Sequence, residues 1–433
     1  MKQIIRRLPD LLFLLIPFVD FTFYLDYKFA DIRLTYLVYI LYFFVYIKNF
    51  LGSIRIANLI SKTKLYIYLF AIVIITSIYN IFVDNNTIVL FLKQIIIIAF
   101  IAFVTYMFFY NHKDNIKHII TLYLKISFIV ACIGIFQELS FLLNFHYGYN
   151  YSYLNFTNQI GVSGLMFRVT SIAREPSFLI YALMPAFYIS LSSFLTNSKD
   201  FLKQWQNIII ILCVFLTYSA VGYTGIFLSF ALILFWNTRQ IKPGRFLLFI
   251  FMSIFLFTLG KSAVSDRIVS IYKQISPSAN HTSKDNKEHV NMSSYYLVLH
   301  AKRAFDDFKH KPVVGTGLGS YTYPKHADQV YEKFHSNKFF HVSSEDVANL
   351  FFRIVSELGL FGIIVLFIFL FSNYIFNISF RNQTNYFIII NNACLIYICL
   401  RLLRNGSYYA DGLWIFIFMY YYSKQLFTKE NKR

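Results

Sequence analysis

The sequence predicts an all-α, polytopic integral membrane protein with about twelve transmembrane helices, and three observations support this fold class. Hydrophobic residues make up 57% of the 433-residue chain and charged residues only 14%, whereas a soluble domain carries about 25% charged residues. The apolar residues fall in runs of roughly 16–25, a length that crosses a hydrocarbon core of about 30 Å. These runs do not alternate polar and apolar residues as barrel strands do, and backbone groups in lipid are satisfied only within helices or closed barrels.

Most predicted helices are apolar runs bounded by charged or turn-forming residues, although only Ala220 and Val221 part the seventh from the eighth, and together the helices form a single membrane domain over residues 1–433. The basic N-terminus leads straight into the first run with no small-residue cleavage site, so we expect a retained first helix. The predicted helices, in chain order, are 11–25, 32–50, 65–83, 88–110, 119–145, 178–195, 207–220, 222–236, 245–260, 350–376, 386–403 and 409–423.

Positive charge predicts the orientation, because Lys and Arg accumulate in cytoplasmic loops. With both termini in the cytoplasm, the short basic loops fall on the cytoplasmic side at nearly every connection. Two longer segments then lie outside the cell membrane, a smaller loop at 146–177 and a large loop at 261–349. The large loop includes an amphipathic stretch from Tyr295 to Phe308, and we expect it to fold as a cap because long connections in ordered proteins are usually functional.

The net charge of +19 does not indicate a nucleic-acid partner. In a membrane protein, basic residues fix the orientation and extend to the lipid headgroups. The four cysteines all lie in apolar runs, so the sequence predicts neither a disulfide framework nor a cysteine metal site. No pair of acidic residues has a clear metal-binding spacing, and we expect no metal and no cofactor.

The first polar cluster lies between Arg168 and Ile180, where the smaller loop leads into a helix. Pro176 suits the first turn of that helix and Glu175 its positive end, so Glu175, Pro176 and Ser177 can be read simply as a helix start. Arg168 and Arg174 are not explained in this way. Two guanidinium groups beside a helix N-terminus favour an anion site, although cationic side chains also extend to the membrane interface for packing reasons alone.

Two further segments carry weaker signals. Thr217 and Ser219 lie at a predicted outer helix turn and could bind a ligand, but such residues more often bond back to their own helix. Gly315, Gly317 and Gly319 lack the Lys-Ser/Thr and the strand–helix context of a nucleotide-binding loop. These glycines are better suited to a tight turn or to close approach of a substrate to the backbone.

The last cluster leads from the large loop into the helix that begins near residue 350. Arg353 and Glu357 are four residues apart and share one helix face. Because charges in a membrane cost about 2.5–3.5 kcal/mol each, this pair should face protein or water, either as an internal salt bridge or as a phosphate clamp with a base. Polar residues precede the pair, and two arginines follow at similar depth: His341, Glu345, Asp346 and Asn349, then Arg401 and Arg404.

In this order, the four segments resemble the O-antigen and exopolysaccharide polymerase/ligase superfamily. The family pattern contains an outer Arg before Glu-Pro-Ser/Asn, a Leu-Thr-x-Ser helix, a Pro-x-x-Gly-x-Gly element in a large outer loop, and Glu-x-Gly-Leu-x-Gly in the next helix. The resemblance extends from about Arg168 to the C-terminus. The matching residues are Arg168, Glu175, Pro176, Ser177, Leu216, Thr217, Ser219, Pro312, Gly315, Gly317 and Glu357 to Gly362.

The resemblance implies a GT-C-like glycosyltransferase in the bacterial cytoplasmic membrane, acting on undecaprenyl-diphosphate-linked oligosaccharides in contact with membrane lipids. A flippase and a chain-length regulator are the further partners that it suggests. Ligases of the superfamily usually carry His immediately before the Asn that precedes the last long helix, whereas Ala348 precedes Asn349 here. This departure favours a polymerase over a ligase. A transporter of lipid-linked sugars is the rival from another class, but no internal repeat is present.

For the chemistry that the resemblance implies, arginines can stabilise the departing diphosphate in place of a metal ion, since no acidic metal-binding pair is present, and a carboxylate or histidine either accepts the hydroxyl proton or orients the sugars. The expected catalytic residues are Arg168, Glu175, His341, Glu345, Asp346 and Arg353. The expected substrate-binding residues are Arg174, Ser177, Thr217, Ser219, Asn349, Glu357, Arg401 and Arg404.

Overall fold

The computed structural model describes residues 2–19, 24–27, 30–53, 68, 70–82, 88–113, 115–151, 161–163, 166–198, 201–259, 292–322, 349–376 and 385–431. Within these residues the fold is helical, apart from two separate two-stranded antiparallel hairpins. The hairpins are β1 (Tyr24–Tyr27) with β2 (Ala30–Arg33), and β3 (Val162–Ser163) with β4 (Met166–Phe167). The helices are α1 (Lys2–Leu15), α2 (Leu34–Ser53), α3 (Phe70–Phe82), α4 (Ile88–Asn111), α5 (Ile116–Leu142), α6 (His146–Tyr149), α7 (Pro176–Thr196), α8 (Gln204–Leu216), α9 (Ala220–Asn237), α10 (Pro243–Leu259), α11 (Met292–His310), α12 (Leu350–Asn373), α13 (Tyr386–Leu403) and α14 (Leu413–Glu430).

Length and composition identify the chain as a multi-pass membrane protein. Among the described residues, six helices are long and apolar enough to cross a membrane, namely α2, α4, α5, α7, α12 and α13. Five shorter apolar helices accompany them. The all-α polytopic fold class is therefore confirmed, while the number of crossings remains a prediction.

Most predicted helices agree with the structure, but the first does not. Helix α13 has the predicted bounds of 386–403, and α11 contains the predicted amphipathic stretch. The first helix was predicted at 11–25 and this was wrong, because α1 ends at Leu15 and a 3₁₀ turn at Ile16–Phe18 leads towards the β1–β2 hairpin. Pro17 accounts for the end of α1, since proline lacks an N–H donor and disfavours the α conformation of the residue before it.

The last helix also differs from its prediction at 409–423. It begins at Leu413 because Gly412 adopts a left-handed conformation with φ of 83°, and it continues to Glu430. Its last turns contain polar residues, so the apolar run in the sequence ends before the helix does. A helix can continue past such a run because its backbone hydrogen bonds are internal.

Helix α7 lies at the centre of the bundle. Nearly all of its residues are buried, and it packs against α8, α9 and α13. Two buried hydrogen bonds fix its position: the Tyr123 hydroxyl donates to the Ala182 carbonyl at 2.6 Å, and Asn392 Nδ2 donates to the Tyr188 hydroxyl at 3.1 Å. Large apolar side chains remain exposed on the outer helices, as expected for surfaces that face lipid.

The helix ends that carry the predicted site residues meet at one end of the bundle. The N–H of Val169, just before α7, donates to the Leu216 carbonyl at the end of α8, at 3.1 Å. Asn349, just before α12, donates through Nδ2 to the Leu403 carbonyl at the end of α13, at 2.9 Å. The Arg401 guanidinium of α13 lies 4.1 Å from the ring centroid of Tyr181 in α7 and thereby connects the two groups.

Candidate functional site

Helix α12 is interrupted at Gly359, where φ is 60° and ψ is −150°. The glycine-containing segment after α11 fills this break by exchanging backbone hydrogen bonds with it. Two carbonyls and two N–H groups that the break removes from the helix find partners in that segment. The four bonds run from Thr316 N to Ser356 O (2.9 Å), Gly317 N to Glu357 O (2.8 Å), Leu360 N to Pro312 O (2.8 Å) and Phe361 N to Val313 O (3.1 Å).

The glycines of both motifs allow this close contact. A Cβ on Gly359 would lie 2.7 Å from the Gly315 nitrogen and 2.8 Å from the Pro312 carbonyl oxygen. A Cβ on Gly315 would overlap the carbonyl carbon of Glu357. Gly315, Gly317 and Gly319 all have positive φ, so the predicted tight turn is confirmed. The group that approaches the Gly315 backbone is the backbone of α12.

The break in α12 lies next to a buried ion pair. Arg353 Nε donates to Glu357 Oε1 at 3.1 Å, and the two side chains are 2% and 0% exposed. The same carboxylate oxygen accepts the Tyr321 N–H at 3.2 Å. Arg353 Nη1 donates to the Gly406 carbonyl at 3.0 Å, and the guanidinium lies 4.7 Å from the Tyr408 ring centroid. Nη2 is buried and has no hydrogen-bond partner among the described residues, so the guanidinium is held firmly with one nitrogen uncommitted.

Helix α11 brings a further arginine, Arg303, to this ion pair, and sequence reasoning missed it. Its guanidinium lies 4.0 Å from the Tyr321 ring centroid, and its Nε lies 3.9 Å from Asp307 Oδ2. The side chain is only 2% exposed, and Nε and Nη1 have no hydrogen-bond partner within the described part of the chain. Arg303 is four residues from buried Leu299, so a charged residue on the apolar face of α11 was the available signal.

His300, also on α11, is buried beside Arg303. Its Nδ1 and the Tyr321 hydroxyl are hydrogen-bonded at 2.7 Å. Burial lowers the pKa of His300 to about 4, and the positive charges of Arg303 and Arg404 act in the same direction. His300 is therefore neutral at physiological pH.

The second group of polar residues surrounds Arg168. Burial lowers the pKa of Arg168, and the negative charge of Glu175 acts in the opposite direction. The Ser177 hydroxyl donates to Glu175 Oε2 at 3.2 Å. The Nε atoms of Arg168 and Arg174 are buried without a partner among the described residues. Glu175 directly precedes α7, whose first residue is Pro176, so the predicted helix start is confirmed.

Gln137 of α5 fixes the backbone between Arg168 and Arg174. Its Oε1 accepts the N–H groups of Thr170 at 3.2 Å and of Ser171 at 2.6 Å. Ser171 has a positive φ of 50°, and its hydroxyl donates to the Val130 carbonyl at 2.7 Å. This segment is therefore held in one conformation against α5, which positions the arginines on either side of it.

Several predicted substrate-binding residues have structural contacts. The Thr217 hydroxyl donates to the Val214 carbonyl at 2.8 Å, as expected for a helix end. Asn349 caps α12 by accepting the Phe352 N–H at 2.9 Å, in addition to its bond to Leu403. Arg401 donates to the Tyr397 hydroxyl and to the Asp411 carbonyl, each at 2.9 Å. Ser219 is buried. His341, Glu345 and Asp346 lie outside the described residues.

The comparison with known proteins adds one finding. Residues 207–367 match the family model described as O-antigen ligase. This region covers Thr217, Ser219, the glycine segment and the break in α12, whereas Arg168 and Arg401 lie outside it. No curated protein and no solved structure matches the chain. The match over residues 207–367 supports the assignment of this multi-pass membrane protein to the O-antigen ligase/polymerase superfamily.

Proposed function

We propose that this protein polymerises undecaprenyl-diphosphate-linked oligosaccharide repeat units at the outer face of the bacterial cytoplasmic membrane, with both termini in the cytoplasm. A hydroxyl of one lipid-linked unit attacks the anomeric carbon of another, and the lipid diphosphate leaves. The observation that carries the proposal is Arg353, whose buried guanidinium is fixed by Glu357 and Gly406 and retains an uncommitted Nη2.

The chemistry requires positive charge at the departing diphosphate. Negative charge on the leaving group increases in the transition state, and fixed donors in a site without water stabilise it most. The planar guanidinium group matches two phosphate oxygens at once. Buried guanidinium donors are present in two places at the same end of the bundle. One place, beside the break in α12, has Arg353 and Arg303, and the other, just before α7, has Arg168 and Arg174.

The position of these groups favours an enzyme over a transporter. A transporter of lipid-linked sugars would place its polar site near the membrane midplane. Here Arg353 lies in the first turn of α12 and Arg401 in the last turn of α13, so both are near helix ends. An O-antigen ligase is the second candidate, because the matching family model carries that description. A ligase would use the same leaving group and a different acceptor.

The test is the fate of the lipid-linked unit in cells that carry Arg353→Ala or Arg168→Ala. We expect the rate of long-chain synthesis to fall roughly 10²–10³-fold, which is the loss typical of removing one fixed donor that stabilises developing charge. Single lipid-linked units should accumulate on the outer leaflet, where an impermeant glycosidase or lectin detects them. Arg→Lys changes should also fail, because an ammonium lacks the planar fork.

The matched control is Arg245→Ala, because Arg245 donates to the Phe194 carbonyl near the opposite end of α7. This variant should retain long chains. Accumulation on the inner leaflet in the Arg353 and Arg168 variants would instead indicate a transporter, and near-normal long chains would reduce these arginines to interfacial anchors. Polymerisation should also persist in excess EDTA, since arginines are proposed to act in place of a metal ion.

A further inference from the structure

Glu138 lies on the face of α5 that packs against the Arg168 segment. Gly134, Gln137 and Glu138 share this face, since they are three and four residues apart. A Cβ on Gly134 would lie 2.8 Å from Val169 Cγ1, and Gln137 binds the Thr170 and Ser171 N–H groups. Glu138 is 3% exposed, and its Oε1 accepts the N–H of Phe167, the residue before Arg168, at 3.2 Å.

The second carboxylate oxygen of Glu138 has no structural task among the described residues. Oε2 is buried and lacks a hydrogen-bond partner there, and no ion pair in the described part of the chain involves Glu138. An ionisable side chain in a membrane helix is costly to retain and typically marks a functional site. A glutamine would satisfy the Phe167 N–H equally well without that cost, so the Phe167 contact alone does not explain a carboxylate.

Tyr218 presents a second uncommitted oxygen near Glu138. Tyr218 follows the end of α8 closely, and the Val169 N–H, two residues after Phe167, donates to the Leu216 carbonyl at 3.1 Å, so one segment contacts both Glu138 and the end of α8. The Tyr218 hydroxyl is buried without a hydrogen-bond partner among the described residues. Its backbone has a φ of 44°, a strained conformation for a residue with a side chain, and such strain persists where surrounding structure imposes it.

We propose that Glu138 is the catalytic base of the glycosyl transfer and that Tyr218 binds the attacking hydroxyl beside it. This inference rests on the proposed function. Glu138 Oε2 accepts the proton of the acceptor hydroxyl while the oxygen of that hydroxyl forms the new bond to the anomeric carbon. The bond from the anomeric carbon to the diphosphate oxygen breaks, and its electron pair leaves with the lipid diphosphate. Arg168 directly follows the Phe167 anchor and supplies a guanidinium to stabilise that charge.

Two other described carboxylates at this end of the bundle, Glu357 and Glu175, are each paired with or directed towards an arginine. Glu357 Oε1 accepts from Arg353 and from the Tyr321 N–H. Glu175 Oε2 accepts the Ser177 hydroxyl, and its charge is directed at Arg168. Glu138 differs from both in that no arginine among the described residues forms an ion pair with it, although Glu357 Oε2 also lacks a hydrogen-bond partner there. Its position is about 6 Å below the end of α5 at Leu142, at the 1.5 Å rise per residue of an α-helix.

The test is Glu138→Gln, which keeps an oxygen to accept the Phe167 N–H and removes the carboxylate that can take up a proton. The substrate is the lipid-linked repeat unit extracted from cells that lack the protein, supplied in detergent to the purified full chain. We expect kcat to fall about 10²–10⁴-fold, the usual contribution of a general base, with KM little changed. Tyr218→Phe should raise KM, and Ser127→Ala, a buried change on the same helix, should leave both constants unaltered.

The pH profile separates a base from a purely structural side chain. The unmodified protein should lose activity as pH falls and the base is protonated, and the residual activity of Glu138→Gln should lack this acid limb. A normal rate for Glu138→Gln, or a slow variant that retains the acid limb, would overturn the proposal. Thermal unfolding in detergent shows whether the variant is folded. Absence of polymer with the unmodified protein would contradict the proposed function itself.

Discussion

Gly315 and Gly359 lie in direct backbone contact, with Gly315 in the segment after α11 and Gly359 at the break of α12. They belong to two motifs that are 44 positions apart in the chain. Around them, four backbone hydrogen bonds exchange between the segment and the helix. The two motifs are thus the two halves of one structural element, and this element places Arg353, Glu357 and Tyr321 together.

Replacement of either glycine by alanine should therefore destabilise the protein. The conformation of Gly359 costs a residue with a side chain about 1–3 kcal/mol, and overlap with Gly315 and Pro312 adds to this. Thermal unfolding of Gly315→Ala and Gly359→Ala in detergent is the measurement. Gly52→Ala is the control, because a Cβ on Gly52 meets nothing within 4 Å. Melting temperatures equal to that of Gly52→Ala would contradict the contact.

Removal of Glu357 should reveal whether the ion pair is only a lock. Glu357→Ala leaves Arg353 buried without its anion, and breaking such a pair costs about 3–5 kcal/mol. The double variant Arg353→Met with Glu357→Ala should recover much of this stability, since no lone charge remains. It should still fail to make long chains if Arg353 serves the reaction. Recovery of both stability and polymer would identify the pair as a structural lock alone.

His300 should make the stability of the protein depend on pH. Its pKa is about 4 when folded and about 6.5 in an unfolded chain, so the unfolded state binds the proton first as pH falls. The contribution of neutral His300 to the free energy of unfolding is therefore fully present above about pH 6.5 and is lost towards pH 4, with a total loss of about 3 kcal/mol. Melting temperatures across this range should fall less for His300→Gln than for the unmodified protein. His310→Gln, at an exposed position on the same helix, should behave as the unmodified protein does.

The orientation remains a prediction that labelling can test. A cysteine at Ser283 in the large loop, or at Asn158 in the smaller loop, should react with an impermeant thiol reagent in intact cells, because the basic loops are expected inside. The four native cysteines, which lie in apolar runs, would first be replaced. Labelling of either position only after lysis would mean that the orientation is inverted.

Sequence reasoning located charges that interrupt apolar runs, and it did so because such charges are costly in lipid. Arg353 and Glu357 were found in this way, whereas Arg168 was singled out because guanidinium groups beside a helix N-terminus favour an anion site. Glu138 carried the same signal of a charge in an apolar run, in the predicted helix 119–145, and was not singled out, and the contact of Arg303 with Tyr321 could not be predicted because packing alone brings the two residues together. The break at Gly359 was also missed, since a largely apolar run, even with two glycines, predicts a continuous helix over 350–376. The carbonyls that accept the N–H groups freed by the break belong to Pro312 and Val313, which are distant in the sequence.

The bonding exchange at Gly359 also bears on the order of biosynthesis. The segment with Gly315 and Gly317 is synthesised before α12, so its N–H donors have no helix to bind when they leave the ribosome. A break in a lipid-embedded helix, in turn, leaves backbone N–H and carbonyl groups without hydrogen bonds, and each such group costs several kcal/mol. We therefore expect α12 to insert as a continuous helix and to open only when the waiting segment docks. Assembly of the site would then be a late, post-insertional event, and a chain truncated before α12 would leave the segment undocked.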